Sequence, residues 1–133
     1  MTLFLDTNIW VSALVASGLC EDLLLKCVEQ RLAVTSELVW IELEAVMTRK
    51  IRASDVAVSS ARELWKTLPL IDDVPAPTDD NGARLVAAAR AAGATLFVTG
   101  DRRVLDWRQS GEMRIVSPRE AWIELFAPHL RNG

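Results

Sequence analysis

Short acidic clusters carry the residue types that phosphate chemistry needs, and two of them stand where strands of a sheet should end. Leu3-Phe4-Leu5 runs directly into Asp6-Thr7-Asn8, and Thr95-Leu96-Phe97-Val98-Thr99 runs into Gly100-Asp101. Between them, Glu42 falls on an expected helix and Asp79-Asp80 opens another. In open α/β sheets ligands bind beyond the carboxyl ends of the strands, so acids stationed there read as a site rather than as solubilising surface. Carboxylates that converge without a cation repel and raise one another's pKa. A hard divalent cation relieves that conflict, and Mg²⁺ takes oxygen ligands. Phosphodiester hydrolysis needs water made nucleophilic at neutral pH and charge stabilisation at the phosphate. Metal ions held by three or four carboxylates supply both. The pattern therefore points to a metal-dependent enzyme acting on phosphates. Arg102-Arg103 follows Asp101 directly and is the basic pair best placed to steady transition-state charge or hold a phosphate backbone.

Each acid also has a plain structural reading. Asp6 is a suitable helix cap, Asp101 suits a turn after Gly100, and Asp79-Asp80 suit the dipole of the helix they precede. Singly, those readings win; together, at matching strand ends, the site reading is stronger. Other chemistries lack their parts. The one histidine, His129, lies near the C-terminus, which leaves no Ser/His pair and no Cys/His zinc spacing. No glycine-rich phosphate loop follows any expected strand. A phosphatase of the haloacid-dehalogenase kind would want a second acid two residues after the first, where Asn8 stands. Cys20 and Cys27 are seven apart on one expected helix, about 10 Å at 1.5 Å per residue, too far for a disulfide, and read as buried thiols. A net charge of −3 argues against gripping nucleic acid by bulk electrostatics, though not against a nuclease whose metal neutralises an acidic pocket. No apolar run approaches the ~18 residues of a membrane span, and the N-terminus has no signal-peptide pattern, so a cytoplasmic protein with no membrane partner is expected.

These groups need a scaffold. At 133 residues, half of them hydrophobic, the chain reads as a single domain, 1–133, with ample core. The expected order is strand, helix, helix, strand, three helices, strand, short helix, strand, helix. The strands fall at 2–5, 32–35, 95–99 and 114–116. Asn8 is a candidate cap for a helix through Ala16, and a second helix spans 19–30. Ser36 is expected to cap a helix over 37–49 that turns Leu38, Ile41, Ala45 and Val46 inward. Ser54 opens a helix through Trp65. Two prolines mark 72–78 as a loop, and a helix follows over 83–92. Ser117-Pro118-Arg119-Glu120 has the cap, the first-position proline and the third-position glutamate of a helix start. Strands alternating with helices call for a largely parallel sheet in an α/β fold. The tryptophans, Trp10, Trp40, Trp65, Trp107 and Trp122, read mostly as core or interface. Trp107 follows the site and is placed to stack a base, with core packing the stronger expectation.

Taken together, Leu5-Asp6-Thr7-Asn8, the helical Glu42, Val98-Thr99-Gly100-Asp101 and Ser117-Pro118-Arg119-Glu120 resemble a PIN domain over nearly the whole chain. The likeness is to small bacterial members similar to VapC, the toxin component of toxin–antitoxin pairs. That resemblance implies a three-layer α/β/α sandwich, Mg²⁺ or Mn²⁺ dependence, and endoribonuclease activity restrained by an antitoxin, with a homodimer as the expected assembly. It implies metal-binding and catalytic roles for Asp6, Glu42 and Asp101. Glu44 is the alternative to Glu42, though it is rotated about two hundred degrees away. Thr7, Asn8 and Thr99 are the supporting polar groups, and Arg102 and Arg103 the candidate RNA contacts. One position departs from the pattern: the family's acid in the first turn of the helix over 83–92 aligns with Gly82. Asp80, two residues upstream and within ~7 Å of extended chain, offers a substitute through a water or a shifted helix start. The alternative is a site one ligand short, in a module kept for binding RNA or protein.

Overall fold

The computed structural model describes residues 1–75 and 80–131. Five strands form one sheet in the order β2-β1-β3-β5-β4. They are β1 (Leu3–Leu5), β2 (Ala33–Val34), β3 (Leu96–Val98), β4 (Gln109–Ser110) and β5 (Met113–Val116). β1 runs parallel to β2 and β3, and β3 runs parallel to β5. Only β4 is antiparallel, hairpinned onto β5. Every residue of β1 and β3 is buried, as strands covered on both faces require. Phe4 stacks on Phe97 across the ladder at 5.5 Å. The helices are α1 (Thr7–Val15), α2 (Leu19–Glu29), α3 (Glu37–Ala45), α4 (Asp55–Lys66), α5 (Asn81–Ala91), α6 (Arg102–Leu105) and α7 (Pro118–Phe126). With the sheet they build the expected α/β sandwich.

Several local expectations change. The cap of α1 is Asp6, whose Oδ1 accepts from the Thr7 amide at 2.7 Å, and Asn8 lies inside the helix. Ser36 begins α3 without bonding through its side chain; Asp73 reaches in from the distant loop, its Oδ2 accepting from the Leu38 amide at 2.9 Å. Ile41 is 60 % exposed, because Val39, Trp40 and Leu43 take the inward face. Trp40 packs against Trp65 of α4 (5.8 Å), which turns the helix away from the expected stripe. Past Ala45 the helix does not continue as α but widens into a π-helical segment, Val46–Ile51, closed by Arg52 in the left-handed region (φ 54°). α5 begins at Asn81, two residues earlier than expected, with Asp80 as its cap. The capping box at Ser117 and Glu120 is present in full. Cys27 is buried, its thiol pushed up to about 11 by desolvation, while Cys20 is only half-buried; both are free. Of the expected loop, 72–75 has no regular structure, and 76–78 lie outside the described residues, as does Asp79. Among the described residues no helix is long and apolar enough to cross a membrane.

Candidate active site

Asp6 leaves the end of β1 and is almost wholly buried (6 % exposed). Three donors hold its carboxylate: the Thr7 amide on Oδ1, and the Asn8 amide group (3.0 Å) and Thr99 hydroxyl (2.8 Å) on Oδ2. Burial pushes its pKa above the ordinary carboxylate value; the hydrogen bonds from Thr99, Thr7 and Asn8 oppose this, and the charge of Glu42 adds to it. Asp6 thus stays partly desolvated and sits close enough to a second acid to feel its repulsion.

The same donors tie the ends of β1 and β3 together. Asn8 also donates to Thr99 Oγ1 (3.1 Å) and accepts from the Gly100 amide through Oδ1 (2.9 Å). Thr99, fully buried, accepts from the Asp101 amide at 3.0 Å. Asp101 then caps α6, accepting from the Arg103 amide. The pieces adjacent at strand ends are therefore fixed by a continuous polar network rather than by loop packing alone.

Glu42 comes from α3. Its Oε1 accepts from the Thr7 hydroxyl at 2.6 Å and its Oε2 from the Asn81 amide group at 3.2 Å. Asp6, Glu42 and Asp101 line one cleft of about 490 Å³, together with Thr7, Asn8 and Arg103. Glu44 is exposed on the other side of the helix, as expected. Arg102 is exposed and does not line the cleft, whereas Arg103 does. Arg103 clasps Asp80 bidentately, at 2.8 and 3.0 Å. That contact and the Ala83 amide hold the Asp80 carboxyl below the usual range, and Asp80 does not line the cleft.

Two neighbours of the site were not anticipated. Asn81 supplies the first-turn side chain that meets Glu42, a position obscured by expecting the helix to begin later. Lys50 also lines the cleft, from the π-helical segment that follows α3. On a regular α-helix Lys50 would lie about 80° around from Glu42; the wider π turns bring it back. Gly82 lines the cleft too, and a side chain there would press on the Asp80 carboxylate, which must give by a few tenths of an ångström. An added Cβ would stand 3.3 Å from Asp80 Oδ1 and 3.5 Å from Arg103 Nη2.

The all-oxygen donor set and the mutual repulsion of Asp6 and Glu42 fit a hard divalent cation in chemical type. Among the described residues, however, no three acidic, thiol or imidazole groups are drawn together as a ready-made cage. Chemically the arrangement is an acidic cleft with a rigid floor at the strand ends and a cationic wall of Arg103 and Lys50.

Comparison with known proteins gives a consistent frame. A family model described as PIN domain matches residues 2–103. Among solved structures, the chain is similar to the crystal structure of PAE2754 from Pyrobaculum aerophilum. The TM-score is 0.68 and the identity 15 %, with 96 % of each chain covered, a likeness of fold. No curated protein matches the chain significantly.

Proposed function

This chain belongs to the PIN-domain family, whose members are generally nucleases, and from that premise we propose that it is a metal-dependent endoribonuclease and the toxin of a toxin–antitoxin pair. The observation that carries the reading is the buried Asp6 carboxylate, its pKa raised by burial and by Glu42, in one cleft with Asp101. In this reading Asp6, Glu42 and Asp101 are the metal-binding and catalytic acids. Mg²⁺ or Mn²⁺ held by them would offset the charge of the scissile phosphate and make water a competent nucleophile at neutral pH. Thr7 orients Glu42, and Thr99 and Asn8 orient Asp6, each through the bonds given above. Arg103, anchored on Asp80, faces the cleft as the phosphate contact, and the exposed Arg102 is the further candidate for RNA contact.

The reading takes residues 1–133 as one domain of a cytoplasmic protein. An antitoxin and a second copy of the chain are its expected partners. Apolar side chains exposed near the α1–α2 turn (Leu14, Val15, Leu19) and on α4 (Val56) support those contacts.

A second reading has its own support. Gly82 stands where a further acid is expected, and Asp80 is taken up by Arg103. On that basis the chain would be a catalytically impaired module that binds RNA or protein.

Cleavage of structured and single-stranded RNA separates the two, run with Mn²⁺, with EDTA, and with Asp6→Asn as control. EDTA-sensitive cleavage by the natural chain, lost in Asp6→Asn, is the expected result. Cleavage that appears only in Gly82→Asp would mean an impaired site on the right scaffold. Silence in both would leave the binding module.

A further inference from the structure

A second hollow, of about 510 Å³, is lined by Trp107, Ala83, Val86, Arg90, Gln109 and Ser110. We propose that this hollow is a nucleobase subsite, in which an unpaired base of the RNA stacks on Trp107 while its neighbouring phosphate lies in the acidic cleft. The inference rests on the nuclease reading for the identity of its ligand.

The indole was expected in the core, yet it is 40 % exposed. Its position is built rather than frayed. The Trp107 amide closes the end of α6 on the Val104 carbonyl (3.0 Å). Arg108 then takes a left-handed backbone (φ 66°) that turns the chain into β4. Gln109 and Ser110 of β4 supply an amide and a hydroxyl at the rim, hydrogen-bonding groups suited to a base edge. Arg90 is packed against Gly111, where an added Cβ would come within 2.6 Å of its Nε. A large aromatic left half open beside an apolar wall, with a few polar groups at the edge, is the arrangement by which single-stranded RNA is held.

The link to the cleft is Arg103. Its guanidinium lies over the Trp107 ring, 5.8 Å from the centroid, while it clasps Asp80 and lines the acidic cleft. α5 forms a wall common to both spaces: Gly82 and Leu85 face the cleft, and Ala83 and Val86 face the hollow. Base and phosphate sites are thus joined by one cation and one helix. Trp107, Gln109 and Ser110 lie beyond the stretch matched by the family model, residues 2–103.

The test is binding of fluorescein-labelled single-stranded RNA octamers, intact or carrying one abasic nucleotide at successive positions, measured by anisotropy with Ca²⁺ and with EDTA. The natural chain should prefer intact RNA over at least one abasic series member. Trp107→Ala should bind intact RNA about ten-fold more weakly, as loss of a stacked base implies, and no longer discriminate. Trp107→Phe should keep most of both. Unchanged affinity and discrimination in Trp107→Ala, or no RNA binding under either condition, would overturn the subsite. Mn²⁺-dependent cleavage with Trp107-independent binding would sink the subsite alone. Trp107-dependent binding without any cleavage would sink only the nuclease reading.

Discussion

Asp6 ties stability to pH and to cation in a way that can be measured without any substrate. Burial lets the folded chain keep this proton to higher pH than the unfolded chain does. Its contribution to stability is therefore complete below the unfolded carboxyl value of about 4 and is lost as pH rises through the raised folded value. A divalent cation on the ionised carboxylate offsets that loss. The rise in Tm produced by Mn²⁺ should accordingly be small near pH ~4.5 and grow towards neutrality; a rise that stays flat with pH would remove Asp6 from the ligand set. Thr7 gives a second handle. Thr7→Val deletes the 2.6 Å bond to Glu42 and should cost stability only ~1 kcal/mol, yet weaken Mn²⁺ binding measurably by calorimetry. Equal Mn²⁺ affinity in the variant would mean that Glu42 needs no orientation. Asp6 and Asp101 stood out in the sequence as candidates because each follows a strand marked by an apolar run, and Glu42 through the family resemblance. Asn81 and Lys50 did not, because their direction depends on where α5 starts and on how α3 unwinds.

At the scale of elements, the helix ends hold most of the testable chemistry. α7 starts with both reciprocal bonds of its capping box, Ser117 Oγ to the Glu120 amide and Glu120 Oε1 to the Ser117 amide, each 3.1 Å. Ser117→Ala should lower stability by ~1 kcal/mol in urea unfolding, with the slope unchanged. Indistinguishable midpoints would show that α7 is held by packing alone. The π-helical segment ends in strain instead: Arg52 adopts φ 54°, a conformation that costs a residue with a Cβ. Arg52→Gly should recover up to ~1 kcal/mol and raise Tm; a fall would mean that the arginine side chain holds the turn. The capping box was plain in the sequence because four consecutive residues encode it. The π widening was not, since nothing in Val46-Met47-Thr48-Arg49-Lys50-Ile51 differs in composition from an ordinary amphipathic turn. β4 escaped for another reason: two polar residues carry no period, and only pairing with β5 makes them a strand.

For the molecule as a whole, strands alternating with helices were enough to anticipate a largely parallel sheet, but not its order. That order places β1 and β3 in the middle and β2 and β4 at the edges. Backbone amides of Phe4, Leu5, Phe97 and Val98 should therefore exchange only through global unfolding, while those of β4 exchange through local opening. Comparable rates in β3 and β4 would contradict that arrangement. The same order has a consequence for how the protein is made. β1 is made before β3, yet one of its two neighbours is that strand, Leu96–Val98, and the hydroxyl that grips Asp6 belongs to Thr99, 93 residues downstream of it. A nascent chain carries Asp6 through the synthesis of all the intervening residues without the strand beside β1 or the hydroxyl that holds its carboxylate. Translation order thus acts as a built-in delay, and a message broken before the codon for Thr99 yields only a fragment unable to assemble the cleft.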